Sequence, residues 1–425
     1  MAKKIIASVK GTRDFYPENM AVRTWLYGHM RAASEMFGYQ EYDGPFLEPI
    51  ALYAAKSGEE LVKEQAFVFP DRGGDLITLR PELTPTLARM VAQRQGQLVF
   101  PLRWWSFGPF WRYERPQKGR AREFFQWNID MIGVNSPEAD AELAAIGAEF
   151  FRRVGLSPQE VQILVNNRRL MDAQLDALAI PSEQRKAVFR LIDRREKMSP
   201  SAWEAYAQEI GLSASQLQGL KDLLGNTRLW EASEELVRFF EAAEALGARP
   251  YLRYAPEIIR GLDYYTGTVF EARDQGGEFR AILGGGRYDN LVADVGGKPL
   301  PGVGFAMGDM VITLVLQKYG HLPTLETQPA AILVTVFDAE HLLEAYRLAA
   351  EVRRLGFPTA VYPEPAKLGK QFKYADRIGA RLALIVGPDE LHQNAVAIKD
   401  LRSREQTLVA REQLAETLRQ RLESP

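Results

Sequence analysis

Cysteine is absent from this 425-residue chain. Disulfides, thiolate nucleophiles and thiolate zinc sites are thereby excluded. Histidine is scarce: His29, His321, His341 and His392 are the full set, and all fall outside the densest motifs. That argues against a histidine general base and against a multi-histidine metal site. Excess charge is missing as well. With a net charge of −2, any contact with nucleic acid must come from local basic patches rather than from a global field. No apolar run reaches the roughly 18 residues of a membrane span. The N-terminus, MAKKIIASVKGTRDF, is basic but lacks the apolar stretch of a signal peptide. The expectation is a cytoplasmic protein without membrane association. What is present is ordinary for a water-soluble chain, 46% hydrophobic and 25% charged residues, with length for about two to four domains.

The most informative stretch is FWRYERPQKGRAREFFQWNIDMIG, residues 110–133. Both of its halves alternate. Phe110, Arg112 and Glu114 share one face and Trp111, Tyr113 and Arg115 the other. Phe124, Gln126, Asn128 and Asp130 face one way, and Phe125, Trp127, Ile129 and Met131 the other. Period-two alternation predicts strands, and the short PQKGRA between them predicts an antiparallel hairpin with a basic tip. The polar face either lies in solvent or forms a floor for a small polar ligand. In the second case Arg112 suits an anion, Asp130 a cation and Gln126 a neutral partner.

The remainder divides by character. A helical stripe covers about Met20–Phe37 and ends at Gly38, followed by the extended YQEYDGPFLEPI. AFVF and LITL read as short strands around a turn at Asp71–Asp75. After Arg80-Pro81-Glu82-Leu83-Thr84-Pro85 comes a helical run, where Glu82 and Thr84 fit either ligand binding or helix capping. A helix over Ser136–Val154 and a strand, VQILVNN, follow. Strand signals then fade over 168–248, where amphipathic helical stretches alternate with short breaks. They return in 251–311 with RGLDYYTG and GGGRYDN. The latter lacks the Lys-Ser/Thr of a P-loop, so its glycines indicate close backbone approach, with Tyr288 as a wall. Tyr264 and Tyr265 suit either a half-buried core or an aromatic box for an imidazole. Residues 329–425 alternate strand and helix as a small α/β unit whose charges nearly balance. Within it Lys370, Lys373, Arg377 and Arg381 recur at helical spacing. Such a stripe is either a solvated face or, given the clustering of one sign, a phosphate-binding face.

Taken together, Arg-x-Glu-Arg-Pro with Arg-Glu-Phe-x-Gln, then RGLDYYTG, then LGKQFKYADRIGARLALIVG resemble the histidyl-tRNA synthetase family of class II aminoacyl-tRNA synthetases. The resemblance implies an α+β catalytic domain on an antiparallel six-stranded sheet, with the first two motifs in 1–167 and the third in 249–325. It also implies a helical insertion at 168–248 that helps hold tRNA, and a C-terminal α/β anticodon-binding domain at 329–425. The implied activity forms histidyl-adenylate from histidine and ATP, with magnesium, and passes the histidyl group to tRNA-His. A homodimer is implied through the first motif. By the same resemblance Arg112 and Arg260 are catalytic cations on the α-phosphate. Glu82, Thr84, Gln126, Asp130, Tyr264, Tyr265 and Tyr288 hold histidine. Glu114 and Phe124 contact adenine, Arg120 the outer phosphates, and Lys370, Lys373, Arg377 and Arg381 the tRNA.

One departure stands out. The family's third motif runs Gly-Phe-x-x-Gly-x-Glu-Arg, but here Gly304-Phe305-Ala306-Met307-Gly308 is followed by Asp309-Met310-Val311. Val311 offers no charge and no planar stack, so the expectation is that Arg112, Arg120 and Arg260 hold the nucleotide with help from Arg287. A histidine-sensing regulatory relative and a non-catalytic tRNA-binding protein are the alternatives. The presence of both RGLDYYTG and the C-terminal unit argues against the first, and the intact Arg112 and Arg260 against the second.

Overall fold

The computed structural model describes residues 5–54, 64–259, 265–325, 327–328 and 330–423. Two compact units divide the chain, 1–324 and 325–425.

The first unit carries β1 (Gln40–Glu41), β2 (Leu47–Pro49), β3 (Phe67–Pro70), β4 (Leu76–Leu79), β5 (Leu102–Trp111), β6 (Glu123–Ile132), β7 (Val161–Asn167), β8 (Leu252–Tyr254), β9 (Thr268–Asp274), β10 (Leu283–Tyr288) and β11 (Gly302–Gly308). Eight of them form one sheet in the order β1-β5-β6-β11-β10-β9-β7-β8. The central six are antiparallel throughout. The sheet is wider than the expected six strands because the short β1 and β8 add in parallel at its two edges. β2, β4 and β3 form a separate three-stranded sheet.

The alternation in β5 and β6 separates the two faces as expected. Trp105, Trp127, Ile129 and Met131 are buried behind the sheet. Trp127 meets Phe305 edge-on at 5.0 Å and lies 5.6 Å from Phe150, on the helix Pro137–Arg153. That helix is well signposted. Ser136 caps it by accepting from the Ala139 amide, Pro137 opens it, acids fill its first turn, and Arg152 and Arg153 close it.

Five α-helices occupy the region expected to be helical: Arg168–Ala177, Ser182–Asp193, Pro200–Glu209, Ala214–Gly225 and Glu234–Ala245. Ser199, Ser213 and Ser233 cap the last three. Their apolar stripes do not close on themselves. Leu170, Val188, Leu220 and Phe239 belong to the same buried cluster as Trp127 and Phe150.

The second unit holds β12 (Ile332–Val334), β13 (Thr359–Val361), β14 (Leu382–Ile385), β15 (Ala395–Asp400) and β16 (Gln406–Ala410), in sheet order β13-β12-β14-β15-β16. β13, β12 and β14 are parallel, as strand–helix–strand connections require, and the last two strands return antiparallel. Ile332, Leu348, Leu384, Ile398 and Leu418 make up part of a core of its own.

Candidate active site

On the front of the large sheet lies a cavity of about 730 Å³. Its floor follows from register. Gln126 on β6 is paired with Gly308 on β11, and Asn128 with Ala306, which in turn pairs with Gly284 on β10 and, beyond it, Glu271 on β9. Small residues on the two middle strands leave room above the sheet, while Gln126 and Glu271 supply polar groups at its sides.

The hairpin forms one wall. The first strand stops at Trp111, so Arg112–Arg115, expected to alternate as strand, lie instead in a connection spanning residues 112–122, with Gly119 in the left-handed region at φ 76°. Arg112 is half-buried, lies over the Phe124 ring at 5.3 Å, and donates through Nε to the Pro81 carbonyl at 3.0 Å. This bond sets the Glu82–Thr84 junction beside the hairpin. Phe124 stacks in turn on buried Phe110 at 6.0 Å. Glu114 and Arg120 line the cavity as an ion pair. The base of the hairpin is clasped by the N-terminal GTRDF segment. The Gly11 carbonyl accepts from the Arg122 amide at 2.8 Å, and Arg13 pairs with Asp309 at 2.8 Å.

Of the residues expected to hold histidine, Gln126, Asp130 and Tyr288 share the front face of the sheet by register. Asp130 lies four positions beyond Gln126, buried, and accepts from the Tyr288 hydroxyl at 2.5 Å. Burial pushes its carboxyl up to about 7, against the lowering effect of that hydroxyl. Gly304, opposite Asp130, is demanded by this approach, since a Cβ there would sit 2.0 Å from Asp130 Oδ1. Tyr265 is buried and packs over Gly286, with Leu164 and Val269 around it. Glu82 is buried, its carbonyl accepting from Tyr53, and Thr84 begins the helix Thr84–Arg94. Asp130, Tyr288, Tyr265, Glu82 and Thr84 do not line the large cavity itself. Arg260 and Tyr264 lie outside the described residues.

Arg287 is placed elsewhere. Gly284, Gly286 and Tyr288 face the front of β10, so Arg287 faces the back. There it is 2% exposed and pairs through two nitrogens with Asp140, at 2.5 and 3.2 Å. Its remaining donors reach the Val134 and Ser136 carbonyls at 2.9 and 3.1 Å. It is not available to a nucleotide, and the help expected from it is set aside.

Several lining residues carried no motif. Asp193, Glu196 and Lys197 come from the helical region, and Arg273 ties that region to the sheet by pairing with Glu196 at 2.6 Å and Glu271 at 2.7 Å. Phe279 and Arg280 come from the β9–β10 connection. A mid-strand acid in TVFEARD was a usable signal for Glu271; Arg280 had none.

In the second unit, Lys370, Lys373 and Arg377 lie exposed on the helix Leu368–Arg377. Buried Gln371 fixes that helix by accepting from the Val336 amide and donating to the Val336 and Ala366 carbonyls. Arg381 does not continue the stripe. The helix ends at Arg377, and Arg381 is half-buried with Nη1 on the Leu422 carbonyl at 3.2 Å.

A family model described as histidyl-tRNA synthetase matches residues 11–310, and one described as an anticodon binding domain matches 330–421. The chain belongs to the histidyl-tRNA synthetase family. It is 38% identical over 428 residues to a histidine–tRNA ligase of Opitutus terrae, covering 97% of this chain and 98% of that one. A chloroplastic/mitochondrial histidine–tRNA ligase of Arabidopsis thaliana is 38% identical over 411 residues, 93% of this chain and 83% of that one. The crystal structure of histidyl-tRNA synthetase from Nostoc sp. PCC 7120 matches with a TM-score of 0.81 at 27% identity, covering 99% of this chain and 100% of that one.

In this member of the histidyl-tRNA synthetase family, the third-motif segment forms one wall of the cavity. Val311 lies in the second position after Asp309 on the helix Asp309–Tyr319, 8% exposed, and lines the cavity with Met310. It faces Gly119 in the hairpin connection, where an added Cβ would stand 3.4 Å from Val311 Cγ2. The wall is apolar where the resemblance implies an arginine.

Proposed function

We propose that the cavity and the polar groups around Asp130 together hold ATP and histidine for the first step of the histidine–tRNA ligase reaction. The chain is an ATP-dependent aminoacyl-tRNA ligase acting on histidine, as its family membership over nearly its full length entails. The observation that carries the proposed site is the pairing of Arg112 with Phe124 on the wall of the front-face cavity.

In this reading the histidine carboxylate attacks the α-phosphorus in line and pyrophosphate leaves. A carboxylate needs no general base at neutral pH, whereas two anions brought together need cations. Arg112 bridges the carboxylate and α-phosphate, and Arg260 acts from the opposite side. Phe124 stacks on adenine and Glu114 contacts its edge, which requires the Glu114–Arg120 pair to open so that Arg120 can reach the outer phosphates. Gln126, Asp130, Glu82 and Thr84 take the amino group or ring of histidine, with Tyr264, Tyr265 and Tyr288 as walls. Magnesium accompanies ATP. The lining acids Glu114, Asp193, Glu196, Glu271 and Asp309 are each paired with a basic side chain. No group of three or more candidate ligands stands among the described residues, so a preformed protein site for the ion does not fit and no step is assigned to it. Histidine-dependent exchange of pyrophosphate into ATP tests the reading; wild-type protein without exchange at saturating substrates overturns it.

A pH dependence follows from Asp130. Below about pH 7 the empty site holds this carboxyl protonated. An ammonium ligand favours the ionised form, so binding expels the proton and tightens as pH rises towards 7. The imidazole of the substrate titrates in the same range, so the comparison is between wild type and Asp130→Asn. The wild-type KM for histidine should fall by about fivefold to tenfold from pH 6 to 8, and the variant should show a flatter profile. Superimposable profiles would remove Asp130 from ammonium binding.

The second unit carries tRNA in this reading, through Lys370, Lys373 and Arg377. Changing all three to Glu should raise the KM for tRNA about tenfold or more at low salt, less at high salt, with pyrophosphate exchange unchanged. Equal tRNA KM at low salt would make the stripe a solvated face. Dimerisation is proposed through the region of the first motif, supported by the exposed Phe46, Leu47, Phe69 and Leu76 on and beside the three-stranded sheet. A cytoplasmic location is proposed on the composition of the chain; among the described residues no helix is long and apolar enough to cross a membrane.

A further inference from the structure

We infer that Arg280, on the connection between β9 and β10, supplies the cation that the third motif lacks at Val311, and that it binds the phosphates of ATP. The inference rests on the cavity being the nucleotide site, as proposed above.

The first argument is the state of each charge in the wall. Five cationic side chains line it: Arg112, Arg120, Lys197, Arg273 and Arg280. Arg120 is paired with Glu114, Lys197 with Asp193, and Arg273 with Glu196 and Glu271. Among the described residues no ion pair to a carboxylate occupies Arg112 or Arg280. Arg112 is the cation already assigned to the reacting phosphate. Arg280 is the other.

The second argument is local electrostatics. Burial and the neighbouring Arg120 push the Arg280 guanidinium below its usual value, and Glu114 opposes them only in part. Glu114 is itself committed to Arg120. Two guanidinium groups thus stand near one carboxylate that pairs with only one of them, which leaves a local positive excess at the edge of the cavity. A triphosphate meets that excess; a neutral ligand does not.

The third is mechanical. The connection carrying Arg280 is fastened to both elements that bear the other nucleotide motifs. Glu278 pairs with Lys118 of the hairpin at 3.0 Å and with Lys318 of the helix Asp309–Tyr319 at 3.5 Å. Lys318 also holds Asp274 at 2.9 Å, and both lysines lie against the Phe279 ring, at 4.8 and 5.4 Å. Arg280 is therefore held in step with Arg120 on one side and Val311 on the other. An arginine reaching the phosphates from this connection makes one at position 311 unnecessary.

Phosphate could also come from the acceptor end of tRNA, so the assay must separate the two. Pyrophosphate exchange contains no tRNA. In it, Arg280→Ala should raise the KM for ATP about tenfold to thirtyfold and shift that for histidine by less than about twofold, with Arg280→Lys in between. Val311→Arg should change the ATP KM of wild type by less than about tenfold, but recover part of the loss when combined with Arg280→Ala. An ATP KM within about twofold of wild type in Arg280→Ala would overturn the inference, including when only the KM for tRNA moves. Strict additivity of Arg280→Ala and Val311→Arg would equally overturn the exchange of one arginine for the other. Equilibrium binding of ATP to wild type and Arg280→Ala separates this result from the ligase reading: wild type without exchange activity but with Arg280-dependent ATP binding fails that reading and leaves this site standing.

Discussion

Arg112→Ala should lower the rate of histidyl-adenylate formation by about a hundredfold to a thousandfold, the scale for a preorganised charge removed from a developing anion. The expectation rests on how this guanidinium is held. Its Nε is spent on the Pro81 carbonyl and its plane is backed by Phe124. Among the described residues no acid pairs with its two terminal nitrogens, which are left for ligands. An arginine fixed in this way pays little reorganisation at the moment of reaction. Arg112→Lys should recover only a small part of the rate, because a single ammonium cannot bridge two oxygens in a plane. The loss should appear in kcat for pyrophosphate exchange more than in the KM for histidine. A kcat within about threefold of wild type would remove Arg112 from the transition state.

Arg287→Ala should cost about 3–5 kcal/mol of stability, the scale for stranding a buried partner charge. The stranded group is Asp140, 2% exposed, whose burial is offset chiefly by Arg287, with a smaller contribution from the Thr268 side chain. Combining Arg287→Met with Asp140→Asn should recover much of the loss, since two apolar or neutral groups there need no counter-charge. Denaturant unfolding of the single and double variants decides this. A single variant within about 1 kcal/mol of wild type would show that the pair carries no such burden. The same variants separate the sequence expectation from the structure. If Arg287 touched ATP, the KM for ATP would rise at temperatures where the variant is folded; its place behind the sheet requires that it does not.

Arg287 also shows where the sequence was legible and where it was not. Period-two alternation identified β6 and its two faces, because that strand is long and one face strongly apolar, but it carried the first strand past its end at Trp111 to Arg112 and Glu114. The same rule, applied to GGGRYD, would have denied Arg287 and Tyr288 a common face. The glycines hid it, since three of them in a row give no hydrophobic pattern from which to read the face. Helical spacing gave the helix at Leu368–Arg377 but extended its stripe to Arg381, because nothing in periodicity marks a helix end as sharply as the backbone does. Arg280 was invisible for a different reason. Its position in the wall is set by pairs to Lys118 and Lys318, residues about 160 and 40 positions away along the chain, and long-range pairing leaves no local trace. The role of the helical region in closing the cavity was hidden in the same way, behind Arg273 and Glu196.

The apolar cluster that joins Leu170, Val188 and Phe239 to Trp127 and Phe150 has a consequence for engineering. A segment whose oily side is completed by its host cannot be cut out, swapped into a relative or produced alone without leaving raw surface on both pieces. Residues 168–248 should then tolerate large core changes only together with the residues they pack against. Grafting them between enzymes would call for carrying the facing residues of the helix Pro137–Arg153 across in the same transplant.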